Sequence, residues 1–148
     1  MKIIIVIIIA VSLNIAASGQ VLTPVRWSYA IKRTSAAEAV VFFKAKIDDG
    51  WHIYSAYQPE GGPIKTSFVF APDNAFRLAG KIIEPKPVTR YENTFEMDVK
   101  YFANSVIFQQ KVKVKNKAAV IKGKLEYMVC NDQKCLPPEA VDFIIPLK

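Results

Sequence analysis

The most regular stretch of the chain is Val106-Ile107-Phe108-Gln109-Gln110-Lys111-Val112-Lys113-Val114-Lys115, where apolar and polar positions alternate. Val106, Phe108, Val112 and Val114 share one face; Gln109, Lys111, Lys113 and Lys115 share the other. A period of two sustained over that length predicts a half-buried antiparallel strand. The same reading fits Val120 to Cys130 and Val141 to Leu147. Upstream, Val40, Phe42, Ala45 and Ile47 lie in an apolar segment that stops at Asp48-Asp49-Gly50. Trp51-His52-Ile53-Tyr54 follows, and Gln58-Pro59-Glu60-Gly61-Gly62-Pro63 then breaks the chain. Ser67 to Ala71 is another short run, closed by Pro72-Asp73-Asn74. β-branched and aromatic residues bounded by turn formers are the mark of strands. No segment carries a helical period, and no repeat or low-complexity tract interrupts the pattern. About eight or nine short strands predict an all-β domain, an immunoglobulin-like two-sheet β-sandwich.

The N-terminus departs from this pattern. Lys2 precedes an unbroken apolar run from Ile3 to Val11, and Ala16-Ala17-Ser18-Gly19 supplies small residues after it. That order predicts a secretory signal peptide over residues 1–19, cleaved near 18–19. Ser12 and Asn14 interrupt the apolar stretch before it reaches the roughly 20 residues of a membrane span. Residues 20–148 are then a single domain, expected in the periplasm or its equivalent with no span of its own. Loss of Lys2 takes the formal net charge from +7 to about +6. The lysines are spread along strand segments, so a solvated strand face accounts for them and no nucleic-acid partner is expected.

An exported location makes the two cysteines, Cys130 and Cys135, candidates for a disulfide. On the Val120–Cys130 strand, Ile121, Gly123, Leu125, Tyr127 and Val129 form the inward set, and Lys122, Lys124, Glu126, Met128 and Cys130 the other. Cys130 is therefore expected to face outward near the strand's end. Asn131-Asp132-Gln133-Lys134 suits a hairpin loop that brings Cys135 within the Cα separation a disulfide needs, about 4.4–6.8 Å. Closing so short a loop contributes only roughly 2 kcal/mol. Spacing alone leaves two readings open: a redox-active pair, or a structural staple in a secreted binding module. Lys134 favours a thiolate at Cys135, and Asp132 opposes it. Zinc requires four protein ligands, or three and a water, and two cysteines with the lone His52 make at best an open site. A Cys/His nucleophilic pair lacks a helix-borne or Gly-rich setting.

Tyr127-Met128-Val129-Cys130-Asn131-Asp132-Gln133-Lys134-Cys135-Leu136-Pro137-Pro138 resembles the active-site hairpin of the periplasmic N-terminal domain of DsbD, a thiol–disulfide interchange reductase. Asp49-Gly50-Trp51-His52-Ile53-Tyr54 is similar to the family segment that packs beside the cysteines. The resemblance covers residues 20–148. It implies a protein-disulfide reductase type of thiol–disulfide oxidoreductase, with Cys130 and Cys135 as the catalytic, disulfide-forming pair and no cofactor. It makes Cys135 the attacking sulfur and Cys130 the resolving one. A thioredoxin-like domain or protein would donate electrons, and periplasmic thiol oxidoreductases would accept them. His52 and Tyr54 match positions near the sulfurs where the family often has tyrosine, so His52 departs from that pattern. A cap loop is expected within Thr89-Arg90-Tyr91-Glu92-Asn93-Thr94-Phe95, with Tyr91 and Phe95 both candidates for the shielding aromatic. Glu92 would act on the proton balance of the thiols. The rivals are the stapled binding module and a copper or haem-maturation accessory that uses the cysteines as metal ligands.

Overall fold

A computed structural model describes residues 21–116 and 118–147, and the expected signal segment and its cleavage point lie outside them. Among the described residues eleven strands run in order: β1 Val25–Ser35, β2 Glu38–Ile47, β3 His52–Tyr54, β4 Ser67–Phe70, β5 Phe76–Ile83, β6 Val88–Glu92, β7 Met97–Ala103, β8 Ser105–Val114, β9 Val120–Tyr127, β10 Val129–Cys130 and β11 Glu139–Pro146. All pairings are antiparallel. They form the sheets β1-β2-β8-β5, β10-β3-β7-β6 and β11-β9-β4. Among the described residues no helix is long and apolar enough to cross a membrane.

The first sheet is one layer of an immunoglobulin-like sandwich, and the other two sheets face it. Alternation along β2 and β8 puts Val41, Phe43, Val106, Phe108 and Val112 inside. Phe43 packs on Phe68 of β4 at 4.8 Å and on Phe143 of β11 at 4.9 Å between ring centroids. Phe108 meets Phe102 of β7 edge-on at 5.7 Å. The β8 ring thus reaches the β10-β3-β7-β6 sheet, and the β2 ring reaches β11-β9-β4. These edge and tilted contacts add to the area the rings bury.

The opposing layer is split because the chain changes sheets at Met128. β9 pairs with β4 and β11, whereas β10, one residue further on, pairs with β3 through Val129↔Ile53 and Cys130↔His52. Register then decides what each face of β10-β3-β7-β6 carries. Val129, Ile53 and Phe102 lie on one face and belong to the main core. The alternate positions, Cys130, His52, Tyr54, Tyr101, Val99, Met97, Arg90 and Glu92, therefore share the face turned away from it.

Candidate functional site

That second face is not open to water. Tyr54, Val99 and Cys130 form a small buried cluster of their own, with Phe95, Met97, Tyr101 and Met128 packed against it. Phe95 comes from the turn between β6 and β7, which folds over the cluster. Its backbone is held by Phe95 N–H donating to Glu92 O at 3.2 Å and Glu96 N–H to Asn93 O at 3.3 Å.

Cys130 and Cys135 are joined, with their Cα atoms 4.0 Å apart. They oppose each other across a hairpin as a pair between hydrogen bonds, the position where cross-strand side chains come closest. The bond on one side is Asn131 N–H to Lys134 O, and on the other Leu136 N–H to Val129 O, both 2.9 Å. Asn131 tightens the tip, its Oδ1 accepting from Gln133 N–H at 2.9 Å and Lys134 N–H at 2.8 Å. Such a side-chain closed turn suits Asn. The two sulfurs have different surroundings. Cys130 is 2 % exposed, whereas Cys135 is exposed. Parity assigns Cys130 correctly to the face away from the main core, but the expectation that it meets solvent is overturned, because the Phe95 turn covers that face. A cleft of about 450 Å³ runs between the two arms, with Arg90 to Phe95 on one wall and Cys130 to Cys135 on the other.

His52 sits under this cleft, opposite Cys130 and 6 % exposed. Its Nε2 is 3.2 Å from the Tyr54 hydroxyl, and its ring packs on Tyr101 at 5.0 Å. Glu92 Oε1 lies 3.9 Å from the same nitrogen, but Arg90 already holds that oxygen at 2.9 Å. Arg90 also stands over the Tyr101 ring at 5.2 Å. Burial lowers the His52 pKa, with Arg90 acting in the same direction and Glu92 and Asp132 against it. Burial likewise raises that of Tyr54, helped by Glu92. Both groups are neutral near pH 7 and exchange an uncharged hydrogen bond.

The His52 shift has a consequence for stability. The unfolded chain takes up a proton near the ordinary histidine value of 6.5, and the folded chain does so only at lower pH. Between those values the unfolded state holds more protons, so stability is full above about pH 6.5 and falls as acid is added. The urea midpoint of the oxidised protein is expected to drop from pH 7.5 to 5.5 more in the wild type than in His52→Gln. Equal slopes in the two proteins would show that His52 does not carry the effect.

The sequence-stated site residues thus separate. Cys130, Tyr54 and Phe95 lie in one cluster, and His52 and Glu92 adjoin it. Tyr91 alternates with Arg90 and Glu92 along β6 and is 59 % exposed, outside the buried cluster, although it borders the cleft. Sequence reading did not single out Tyr101, Met97 or Arg90. Tyr101 enters only through its register with Tyr54, and spacing along the chain gives no signal for a cross-strand partner so far away. Among the described residues no group of three or more His, Cys, Asp or Glu side chains is placed to hold a metal.

An immunoglobulin-like sandwich with a hairpin disulfide half covered by an aromatic turn defines a class of disulfide-bearing domain. The chain belongs to the family described as thiol:disulfide interchange protein DsbD, N-terminal, which matches residues 19–145. It is similar to the reduced-form DsbD N-terminal domain of Neisseria meningitidis, with 18% identity, TM-score 0.54, and coverage of 80% of this chain and 83% of that one. The N-terminal periplasmic domain of ScsB from Proteus mirabilis gives 15% identity and TM-score 0.58 over 87% of this chain and 49% of that one. A complex between the DsbD N-terminal and PilB N-terminal domains from Neisseria meningitidis gives 17% identity and TM-score 0.53 over 84% and 87%. At these identities the structures share the fold. No curated protein sequence matches the chain.

Proposed function

We propose that the chain carries out thiol–disulfide exchange outside the cytoplasm through Cys130 and Cys135, after residues 1–19 direct its export. The observation that carries this reading is the asymmetry of the pair: Cys135 is exposed at the cleft, and Cys130 is buried in the cluster against which Phe95 packs. A staple needs no such difference. A donor thiolate attacks Cys135 Sγ, the Sγ–Sγ bond breaks, and Cys130 leaves as a thiolate that takes a proton. The donor's second thiol then displaces Cys135, so the donor is oxidised and the pair gains two electrons. In the forward step the Cys135 thiolate attacks a partner's disulfide, and Cys130 resolves the mixed disulfide while the partner leaves reduced. Thioredoxin-like proteins fit as donors and periplasmic thiol oxidoreductases as acceptors, in keeping with the meningococcal relative's complex with a PilB domain. His52, Tyr54, Glu92 and Phe95 would set the proton and water content around Cys130.

The reduction potential tests it. A structural bridge lies below about −300 mV, so a value well above that, with the fold kept on reduction, is the expected result. A disulfide that resists dithiol until the domain unfolds would return the pair to a structural role.

A further inference from the structure

Pairing the strands gathers lysines that look dispersed along the chain. On the outer face of β1-β2-β8-β5, Lys32 lies beside Val40, Val40 beside Lys111, Lys113 beside Arg77, Lys44 beside Ile107 and Lys46 beside Ser105. Lys32, Arg77, Lys44, Lys46, Lys111 and Lys113 are all exposed. None of the six is in an ion pair among the described residues. Phe42 lies midway between the two cationic ends, with Ile107 exposed beside Lys44. Glu38, opposite Lys113, is the acid in these rows. Arg26 adds to the face but is tied to Asp48 at 2.6 Å.

The same face has a fixed relation to the disulfide. The inner side of this sheet packs through Phe108 onto Phe102, on the core side of β10-β3-β7-β6. Cys130 lies on the far side of that second sheet. The basic face and the Cys130–Cys135 cleft are therefore on opposite sides of the sandwich.

We propose that this basic face docks the domain on an anionic membrane surface, with the disulfide cleft held away from the lipid. The inference does not depend on the exchange chemistry. Four strands at about 4.8 Å spacing spread the cations over roughly 15 Å of width rather than along a groove. A fluid layer of anionic headgroups supplies partners to charges so dispersed without demanding a fixed geometry, and each basic group near it adds about 1 kcal/mol of attraction. An acidic protein would need its carboxylates placed against widely separated lysines. The apolar Phe42 and Ile107 among the cations suit the interfacial zone, where polar and apolar groups mix. The net charge of about +6 that remains once Lys2 is removed acts in the same direction.

The test is co-sedimentation of the exported protein with vesicles of phosphatidylcholine, alone or mixed with phosphatidylglycerol. Binding is expected only with the anionic lipid, and is expected to be released as salt shortens the range of the attraction. A Lys44→Gln/Lys46→Gln/Lys111→Gln variant should lose on the order of a hundredfold in partitioning, at about fivefold for each lysine. Lys65→Gln/Lys122→Gln/Lys124→Gln removes equal charge outside this sheet, from β9 and the segment before β4, and should stay near wild type. Glutathione should reduce the disulfide at the same rate on and off the vesicle. Equal binding to both lipids, equal loss in the two variants, or no vesicle binding at all would overturn the docking face, the last in favour of an acidic protein partner. A disulfide shielded on the vesicle would overturn the orientation.

Discussion

Cys135→Ser is expected to abolish disulfide exchange, and Cys130→Ala is expected to trap the partner as a mixed disulfide that cannot resolve. The reason lies in access. A thiolate must approach a disulfide along the S–S axis, and from solvent only the Cys135 side is exposed. Approach to Cys130 Sγ is obstructed by the cluster of Phe95, Tyr54 and Met128 around it. The arm bearing Cys135 is also well held. Leu136 packs on the main core and donates to Val129 O at 2.9 Å, and Pro137-Pro138 then fixes φ along the exit. Cys135 therefore presents its sulfur from a firm support, and Cys130 waits behind it within bonding distance to resolve. With Cys135→Ser, exchange should fall to the background rate of free thiols. Non-reducing gels with a thioredoxin-like partner make the measurement: a trapped band from Cys130→Ala and none from Cys135→Ser. The reverse pattern would exchange the two roles. No band from either protein would remove the exchange function.

Much of this arrangement can be read from the chain, and the rest fails for identifiable reasons. The β8 alternation puts Val106, Phe108, Val112 and Val114 inside, as the period of two requires. Gln110 belongs to the same inward set, and the structure accounts for it by hydrogen bonds to the carbonyls of Gly80 and Lys111 at 3.2 and 2.8 Å. Beside it β5 shifts register between Ala79 and Ile83, leaving carbonyls that need a donor. The count of eight or nine strands falls short of the eleven among the described residues, in part because the run from Val120 to Cys130 reads as one strand where the structure has β9 and the two-residue β10. The change of sheet at Met128 left no trace in the alternation, which continues through it. Hence parity assigned Cys130 to the correct face, yet what covers that face comes from a turn more than thirty residues away in sequence. The hairpin was legible because Asn131 to Lys134 closes locally. The His52–Glu92–Arg90 grouping was not, since it joins β3 and β6, which are far apart in sequence and separated in the sheet by β7.

The aromatic cover gives the second large effect. Phe95→Ala should speed reduction of the disulfide by glutathione on the order of tenfold to a hundredfold, a barrier change of about 1.4–2.8 kcal/mol. When an incoming thiolate attacks Cys135, the negative charge moves to Cys130, in a pocket lined by Tyr54, Val99, Met97 and Phe95. A charge in such surroundings is poorly solvated, and burial of this kind raises the free energy of a thiolate. His52, opposite Cys130 in register, is neutral, and its Nε2 is engaged with Tyr54. Taking the Phe95 ring away opens the cleft wall and lets water reach Cys130, so both the approach and the departing thiolate benefit. Tyr91→Ala is the matched control. That ring is 59 % exposed and lies outside the cluster, so its loss should leave the rate within about twofold of wild type. Stopped-flow reduction of the three proteins, followed by the release of free thiol, distinguishes the aromatics. Acceleration in Tyr91→Ala with none in Phe95→Ala would move the cover to the other residue. No acceleration in either would mean that the cleft is already open enough for the attacking thiol, and that the Phe95 turn serves packing alone.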